Sequence, residues 1–268
     1  MAPRLAPFYA LCLNALPPDL LVNYRKTPLY VVAKNAGVIT MSTSNLSNPN
    51  AVLQAIQAER LVAIVRTADV ETALWATRIL IEAGIICIEI PCTVPQAAEA
   101  IEQLCCQYPQ AIMGAGTVLN RQQGQQVLAA GAKFMVSPLF SAELLDWATR
   151  QNQLMLPGCM TPTEMYQANQ AGALAVKFFP AEAAGGPTFI EAIRGPLPHL
   201  PILPTGGISL EKISGYLAAG AIAVGVGGPL LPQKMLSLRD ESALRELTQH
   251  YLAAVAPYRQ IQANEGSL

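Results

Sequence analysis

Residues 83–90, Ala83-Gly84-Ile85-Ile86-Cys87-Ile88-Glu89-Ile90, carry a helix stop and then an apolar run broken by one acid. A glycine just after a helical pattern supplies the left-handed residue with which helices often end. The run behind it reads as a buried strand. Strict alternation puts Ile86, Ile88 and Ile90 on one face, suited to packing under helices, and Ile85, Cys87 and Glu89 on the other. Glu89 is therefore expected to point inward near the strand's C-terminal end.

The same Ala-Gly stop recurs at Ala130-Gly131, Ala171-Gly172 and Ala219-Gly220, each followed by another strand-like run. The full series is Leu61–Val65, Ile85–Ile90, Ala111–Gly114, Phe134–Ser137, Leu154–Pro157, Leu174–Phe179, Ile202–Pro204 and Ile222–Val226. Successive starts lie 20 to 28 residues apart, enough for a strand, a turn and a three-turn helix. Eight such units predict an α/β fold, a closed (β/α)8 TIM barrel, with an open doubly wound sheet as the alternative. A helix at Ala51–Glu59 would precede the barrel, and one around Glu241–Val255 would follow it. Residues 49–268 are expected to form this single domain with its C-terminal helix. Residues 1–48, rich in proline in their first part (Pro3, Pro7, Pro17, Pro18, Pro28), read as a poorly packed N-terminal extension without the pattern of a secretory signal.

Composition narrows the function. Of 268 residues, 52% are hydrophobic and 13% charged, as expected for a large core with outer faces apolar enough to meet other subunits. Net charge is −1 with no Lys/Arg cluster, which argues against a nucleic-acid partner. No apolar run is long enough to span a membrane. The six cysteines form no C-x-x-C pair and read as reduced thiols of a cytoplasmic protein, and two histidines leave little for a metal site.

Chemistry concentrates at the C-terminal ends of the predicted strands. In Ala175-Val176-Lys177-Phe178-Phe179-Pro180-Ala181-Glu182, Lys177 stands inside a buried strand and shares a face with Ala175 and Phe179, opposite Leu174, Val176 and Phe178. A desolvated amine is a carbonyl nucleophile, so Lys177 is a candidate Schiff-base lysine and Glu89 a candidate proton shuttle. Alternatively the two form only a charge-balancing buried pair. Thr205-Gly206-Gly207-Ile208-Ser209, which Ser209 could lead into a helix as its cap, and Gly225-Val226-Gly227-Gly228 offer bare amides where barrels commonly hold a phosphate. Gly114-Ala115-Gly116-Thr117 would let Thr117 reach a ligand. Lysine, carboxylate and anion cradle together suggest class I aldol chemistry that needs no cofactor.

Glu89-Ile90-Pro91, Gly114-Ala115-Gly116-Thr117-Val118-Leu119-Asn120, Ser137-Pro138, Leu156-Pro157-Gly158, Lys177-Phe178-Phe179-Pro180-Ala181-Glu182 and Pro204-Thr205-Gly206-Gly207-Ile208 resemble the 2-keto-3-deoxy-6-phosphogluconate (KDPG) aldolases. The resemblance spans about Leu61 to Leu231. It implies a homotrimeric TIM-barrel lyase of the Entner–Doudoroff pathway that cleaves KDPG to pyruvate and glyceraldehyde 3-phosphate. It also implies Lys177 as the Schiff-base lysine, Glu89 as acid/base and Thr117 at the pyruvyl carboxylate. Pro138 and Phe179 would line the pocket, and Thr205, Gly206, Gly207, Gly227 and Gly228 would serve the substrate and its phosphate.

Two positions depart from the gluconate pattern. Thr93 stands where an arginine is common, and Pro229 where a serine is frequent. Arg66, at the end of the first strand, could supply the missing guanidinium. An arginine there, Glu89-Ile90-Pro91 followed by Pro95-Gln96, and Pro157-Gly158-Cys159 resemble 2-keto-3-deoxy-6-phosphogalactonate aldolases, whereas Thr205 and Phe178-Phe179-Pro180-Ala181-Glu182 match the gluconate branch. Gluconate is preferred, with the galactonate epimer, 4-hydroxy-2-oxoglutarate, and a non-catalytic ligand-binding scaffold as alternatives.

Overall fold

The structure, a computed structural model, describes Leu46 and residues 48–259. The chain enters through α1 (Pro49–Glu59), whose first turn is closed by Asn48 accepting from the Ala51 amide at 2.9 Å, with Pro49 at a position that needs no amide hydrogen. The expected poorly packed segment 1–48 otherwise lies outside the described residues, and Leu46 packs on the inner core.

Strands and helices then alternate: β1 (Leu61–Ile64), α2 (Val70–Glu82), β2 (Cys87–Pro91), α3 (Ala97–Gln107), β3 (Ile112–Gly116), α4 (Arg121–Ala129), β4 (Phe134–Val136), α5 (Ala142–Arg150), β5 (Leu154–Leu156), β6 (Gly158–Cys159), α6 (Pro162–Gln170), β7 (Val176–Phe178), α7 (Gly186–Arg194) and β8 (Ile202–Pro204). A 3-10 turn (Leu210–Lys212), α8 (Ile213–Ala218), β9 (Val224–Val226), α9 (Gln233–Leu238) and α10 (Glu241–Arg259) complete the order. Local chemistry explains the helix starts. Asp69, Asn120, Ser141 and Thr161 each accept a backbone amide of the first turn, and Thr161 forms a reciprocal capping box with Glu164. Gly84, Gly131, Gly172 and Gly220 all have φ near +100°, as the recurring Ala-Gly stops require.

All strand pairs are parallel, and they fall into two sheets: β5-β4-β3-β2-β1-β9 and β6-β7-β8. The predicted single closed ring of eight strands is thus corrected to a curled six-stranded sheet and a three-stranded one. The interruption has a cause in the sequence. The fifth predicted run, Leu154–Pro157, ends on a proline, and Pro157, which has no amide hydrogen, separates β5 from the Gly158-Cys159 of β6. At the other junction, β8 and β9 are not paired as a ladder but are joined by the bridge Thr205–Gly225 and the bond from the Ile222 amide to the Ile202 carbonyl at 3.0 Å.

Both sheets face one apolar core. Val62, Cys87, Ile112, Phe134, Leu154 and Leu203 point into it, and Val52, Leu53, Ala55 and Ile56 of α1 seal it at the N-terminal ends of the strands. A second core between sheet and helices holds Ile88, Ile90, Val176 and Phe178. Alternation therefore holds from Cys87 and from Ala175 onward. Ahead of those points it fails: Ile85 packs with the outer core, while Ile86 and Leu174 lie against the inner one. The pleat that enforces a period of two starts only with the strand.

Cys87, Cys92, Cys105 and Cys159 are free thiols, and Cys12 lies outside the described residues.

Candidate active site

β7 carries Lys177 between Val176 and Phe178, which are buried on its outer face, so the lysine must point to the inner side of its sheet. β2 does the same for Glu89 between Ile88 and Ile90. The two side chains meet: Lys177 Nζ lies 4.0 Å from Glu89 Oε1, with side-chain exposures of 5% and 3%. That separation is a charge contact, too long for a hydrogen bond. Glu89 Oε1 is buried and has no hydrogen-bond partner. A purely structural buried pair would satisfy that oxygen, because an unpaired buried acceptor is costly. What the gap leaves is a basic oxygen and an amine aimed at the same small volume.

Neighbouring residues keep the volume open. A Cβ on Gly116 would overlap the Glu89 carboxylate, which explains the glycine beside Ala115. Cys92, just past β2, has its thiol pushed up to about 11, by burial first and then by the Glu89 charge, so at neutral pH it stays protonated and is no rival nucleophile. Lys177 Nζ also sits 5.2 Å from the centre of the Phe179 ring, a cation–π distance.

Phe179 links the amine to the first glycine turn. Gly206 and Gly207 have φ of +103° and +77°, and a Cβ on Gly206 would lie 3.2 Å from the Phe179 ring. One aromatic ring thus separates the lysine from the proposed anion cradle. Thr205 is buried above Gly225, and its hydroxyl has no partner. Ser209 departs from expectation. It makes no capping bond; its hydroxyl donates to the Glu211 carboxylate, and the chain enters a 3-10 turn instead of a regular helix. Gly227 is half-buried against Ile64, and Gly228 is exposed with open space where a side chain would stand.

On the opposite rim, the register Ile64–Glu89–Gly114 aligns β1, β2 and β3, and the chain beyond it brings Arg66 to Thr117. Arg66 is exposed and its Nη2 donates to Thr117 Oγ1 at 3.4 Å, while Thr117 adopts φ +53°. Pro138, past β4, is half-buried, and its backbone fills the place of a Gly158 side chain. The structure therefore groups Lys177, Glu89, Phe179 and Gly206, and brings Arg66 and Thr117 together beyond the two strands that flank Glu89. Sequence reasoning assigned no role to Glu182, Lys212 and Tyr216, which converge behind the Gly206-Gly207 turn. Glu182 lies inside the lysine motif, but its partners 30 and 34 residues on give no local signal.

A groove of about 750 Å3 lies apart from this site, between α3 and α4, lined by Cys92, Thr93, Glu99, Glu102, Gln123 and Gln126. It holds no cation and so does not suit a phosphorylated acid. Among the described residues no helix is long and apolar enough to cross a membrane, and no group of three or more His, Cys, Asp or Glu side chains converges.

With that geometry in place, comparison with known proteins is decisive: the family model for KDPG and KHG aldolase matches residues 52–247. The chain belongs to the KDPG and KHG aldolase family. A 2-dehydro-3-deoxy-phosphogluconate aldolase of Treponema pallidum (strain Nichols) is 34% identical over 204 residues, covering 76% of this chain and 97% of the relative. A 2-dehydro-3-deoxy-6-phosphogalactonate aldolase of Escherichia coli (strain K12) is 32% identical over 202 residues, covering 75% and 95%. The crystal structure of KDPG aldolase from Legionella pneumophila, with pyruvate captured at low pH as a covalent carbinolamine intermediate, aligns with a TM-score of 0.69 at 32% identity, over 75% of this chain and 97% of that one. Solved relatives of the KDPG and KHG aldolase family thus include one caught with a covalent pyruvate adduct.

Proposed function

We propose that this chain is a class I aldolase that cleaves KDPG to pyruvate and glyceraldehyde 3-phosphate, with Lys177 as nucleophile and Glu89 as proton carrier. The observation that carries it is the buried Nζ 4.0 Å from an unpartnered carboxylate oxygen. Lys177 passes a proton to Glu89 and its amine adds to the 2-keto carbon to form a carbinolamine. Glu89 returns the proton to the carbinolamine hydroxyl, which leaves as water and gives an iminium. Glu89 removes the proton of the C4 hydroxyl, the C3–C4 bond breaks, and its electron pair moves into the iminium, releasing the aldehyde. Protonation of the resulting enamine at C3 and hydrolysis return pyruvate and free Lys177. Phe179 and Pro138 line the pocket, Thr117 and Arg66 receive the carboxylate, and Thr205, Gly206, Gly207, Gly227 and Gly228 hold the phosphate end.

The shared inner core and the junctions at Pro157 and Thr205–Gly225 support treating the two sheets as arcs of one (β/α)8 barrel spanning residues 49–268. Family membership supports a homotrimer. Four free thiols favour a cytoplasmic location.

A second substrate deserves weight because Arg66 meets Thr117 at 3.4 Å, the arrangement that resembles the galactonate branch. Cleavage rates on KDPG, its galactonate epimer and 4-hydroxy-2-oxoglutarate test the assignment. We expect the highest kcat/KM on KDPG; a higher value on the epimer reassigns the substrate, and no cleavage of any of the three removes the aldolase function.

A further inference from the structure

We propose that Glu182 is a positioning residue for the Gly206-Gly207 turn, holding its amides toward the phosphate; this rests on the anion site proposed above. Glu182 follows Lys177 by five residues and touches the turn at every level. Its backbone amide donates to the Gly206 carbonyl at 3.1 Å, and that of Ala181 donates to the Thr205 carbonyl at 2.8 Å. A Cβ on Gly207 would stand 2.7 Å from Glu182 Cβ, so the turn rests directly on this side chain. Beyond the turn, Glu182 Oε1 accepts from Lys212 Nζ at the end of the 3-10 turn, and Oε2 accepts at 3.1 Å from the hydroxyl of Tyr216, a fully buried residue of α8. The strand that bears the nucleophile is thereby tied to the segment that follows the glycines.

The sign of the effect separates positioning from charge. A carboxylate near a phosphate repels it, so electrostatics alone would let a neutral residue at 182 tighten binding. Positioning requires the reverse. Left-handed glycines have no side chains to fix them, and their amides point usefully only while the backbone is held from behind.

Steady-state kinetics of Glu182→Gln, Glu182→Ala and Tyr216→Phe on KDPG and on unphosphorylated 4-hydroxy-2-oxoglutarate provide the test. We expect KM for KDPG to rise about tenfold in Glu182→Ala and about threefold in Tyr216→Phe, with kcat within about twofold, and kcat/KM for the unphosphorylated substrate to change by less than about twofold. Borohydride trapping of pyruvate on each variant checks that the lysine pocket is intact, and Tyr216→Phe, which keeps the ring, serves if the alanine variant does not fold. A KM for KDPG that stays the same or falls, or equal losses on both substrates, overturns the proposal. If the unmodified enzyme does not favour the phosphorylated substrate, the anion site itself fails, and this inference with it. If that preference exists and survives in all three variants, only the role of Glu182 is lost.

Discussion

Two sets of paired charges on this molecule are built by opposite rules. On the outer face, where α10 crosses α2, Arg78 reaches Glu241 at 2.8 Å and Glu82 at 3.1 Å, and Arg245 reaches Glu241 at 2.7 Å. Every carboxylate there is bonded, and the side chains remain more than a third exposed. Inside the ring, Lys177 and Glu89 are almost fully buried, 4.0 Å apart, with Oε1 unbonded. Water screens the outer network and makes it cheap, so it can be held tightly for little gain. The inner pair bears the cost of desolvation without closing its hydrogen bond. That contrast is what the proposed chemistry of the inner pair, and a structural role for the outer one, would require.

The largest expected effect comes from breaking the inner pair at the nucleophile: Lys177→Ala should leave no measurable cleavage of KDPG in a coupled assay for pyruvate. Residual turnover above about a thousandth of the normal rate would shift the nucleophile elsewhere. Glu89→Gln keeps the volume and removes the base. It should lower kcat by about 10²–10⁴-fold while KM changes little, and an unchanged kcat would make the carboxylate a mere counter-ion. Gly116→Ala pushes a methyl group into the Glu89 carboxylate, and we expect kcat to fall about tenfold or more together with about 1–3 kcal/mol of stability in urea titrations. The smallest effect belongs to the outer network. Arg78→Ala should leave kcat unaltered and shift Tm by no more than about 3 °C. A larger shift would mean that the outer pairs matter more than their exposure allows.

That outer network also sets a pH dependence of known sign. Hydrogen bonds from Arg78, then Arg245, hold the Glu241 carboxyl below its usual range. Its contribution to stability is therefore complete above the ordinary value of 4.5 and disappears as pH falls through the lower value of the folded protein. Thermal melts of Arg78→Ala and the unmodified chain should converge as the pH falls through that lowered value.

Much of the fold was legible because its punctuation is local. The glycine stops at 84, 131, 172 and 220 need only their own φ, and the run Ile202–Pro204 is a strand over its predicted span. Strand edges were less so. Ile85, Ile86 and Leu174 lie outside the pleat, where neighbours rather than alternation choose the face. The break at Pro157 looked like the end of a strand, since nothing in the sequence says that the chain resumes pairing at Gly158 with a different neighbour. At the site, Lys177 and Glu89 stood out because charges rarely occur inside apolar runs. Arg66 meeting Thr117, and Glu182 gripping the glycine turn, depend on residues brought together by the tertiary fold and have no signature in spacing.

The most direct measurement is borohydride reduction of the protein with pyruvate, followed by peptide mass spectrometry. A reduced pyruvyl adduct on the peptide containing Lys177, and its absence in Lys177→Ala, is the expected result. An intact enzyme that cleaves KDPG yet yields no adduct, or places it on another lysine, would contradict the role given to the buried amine.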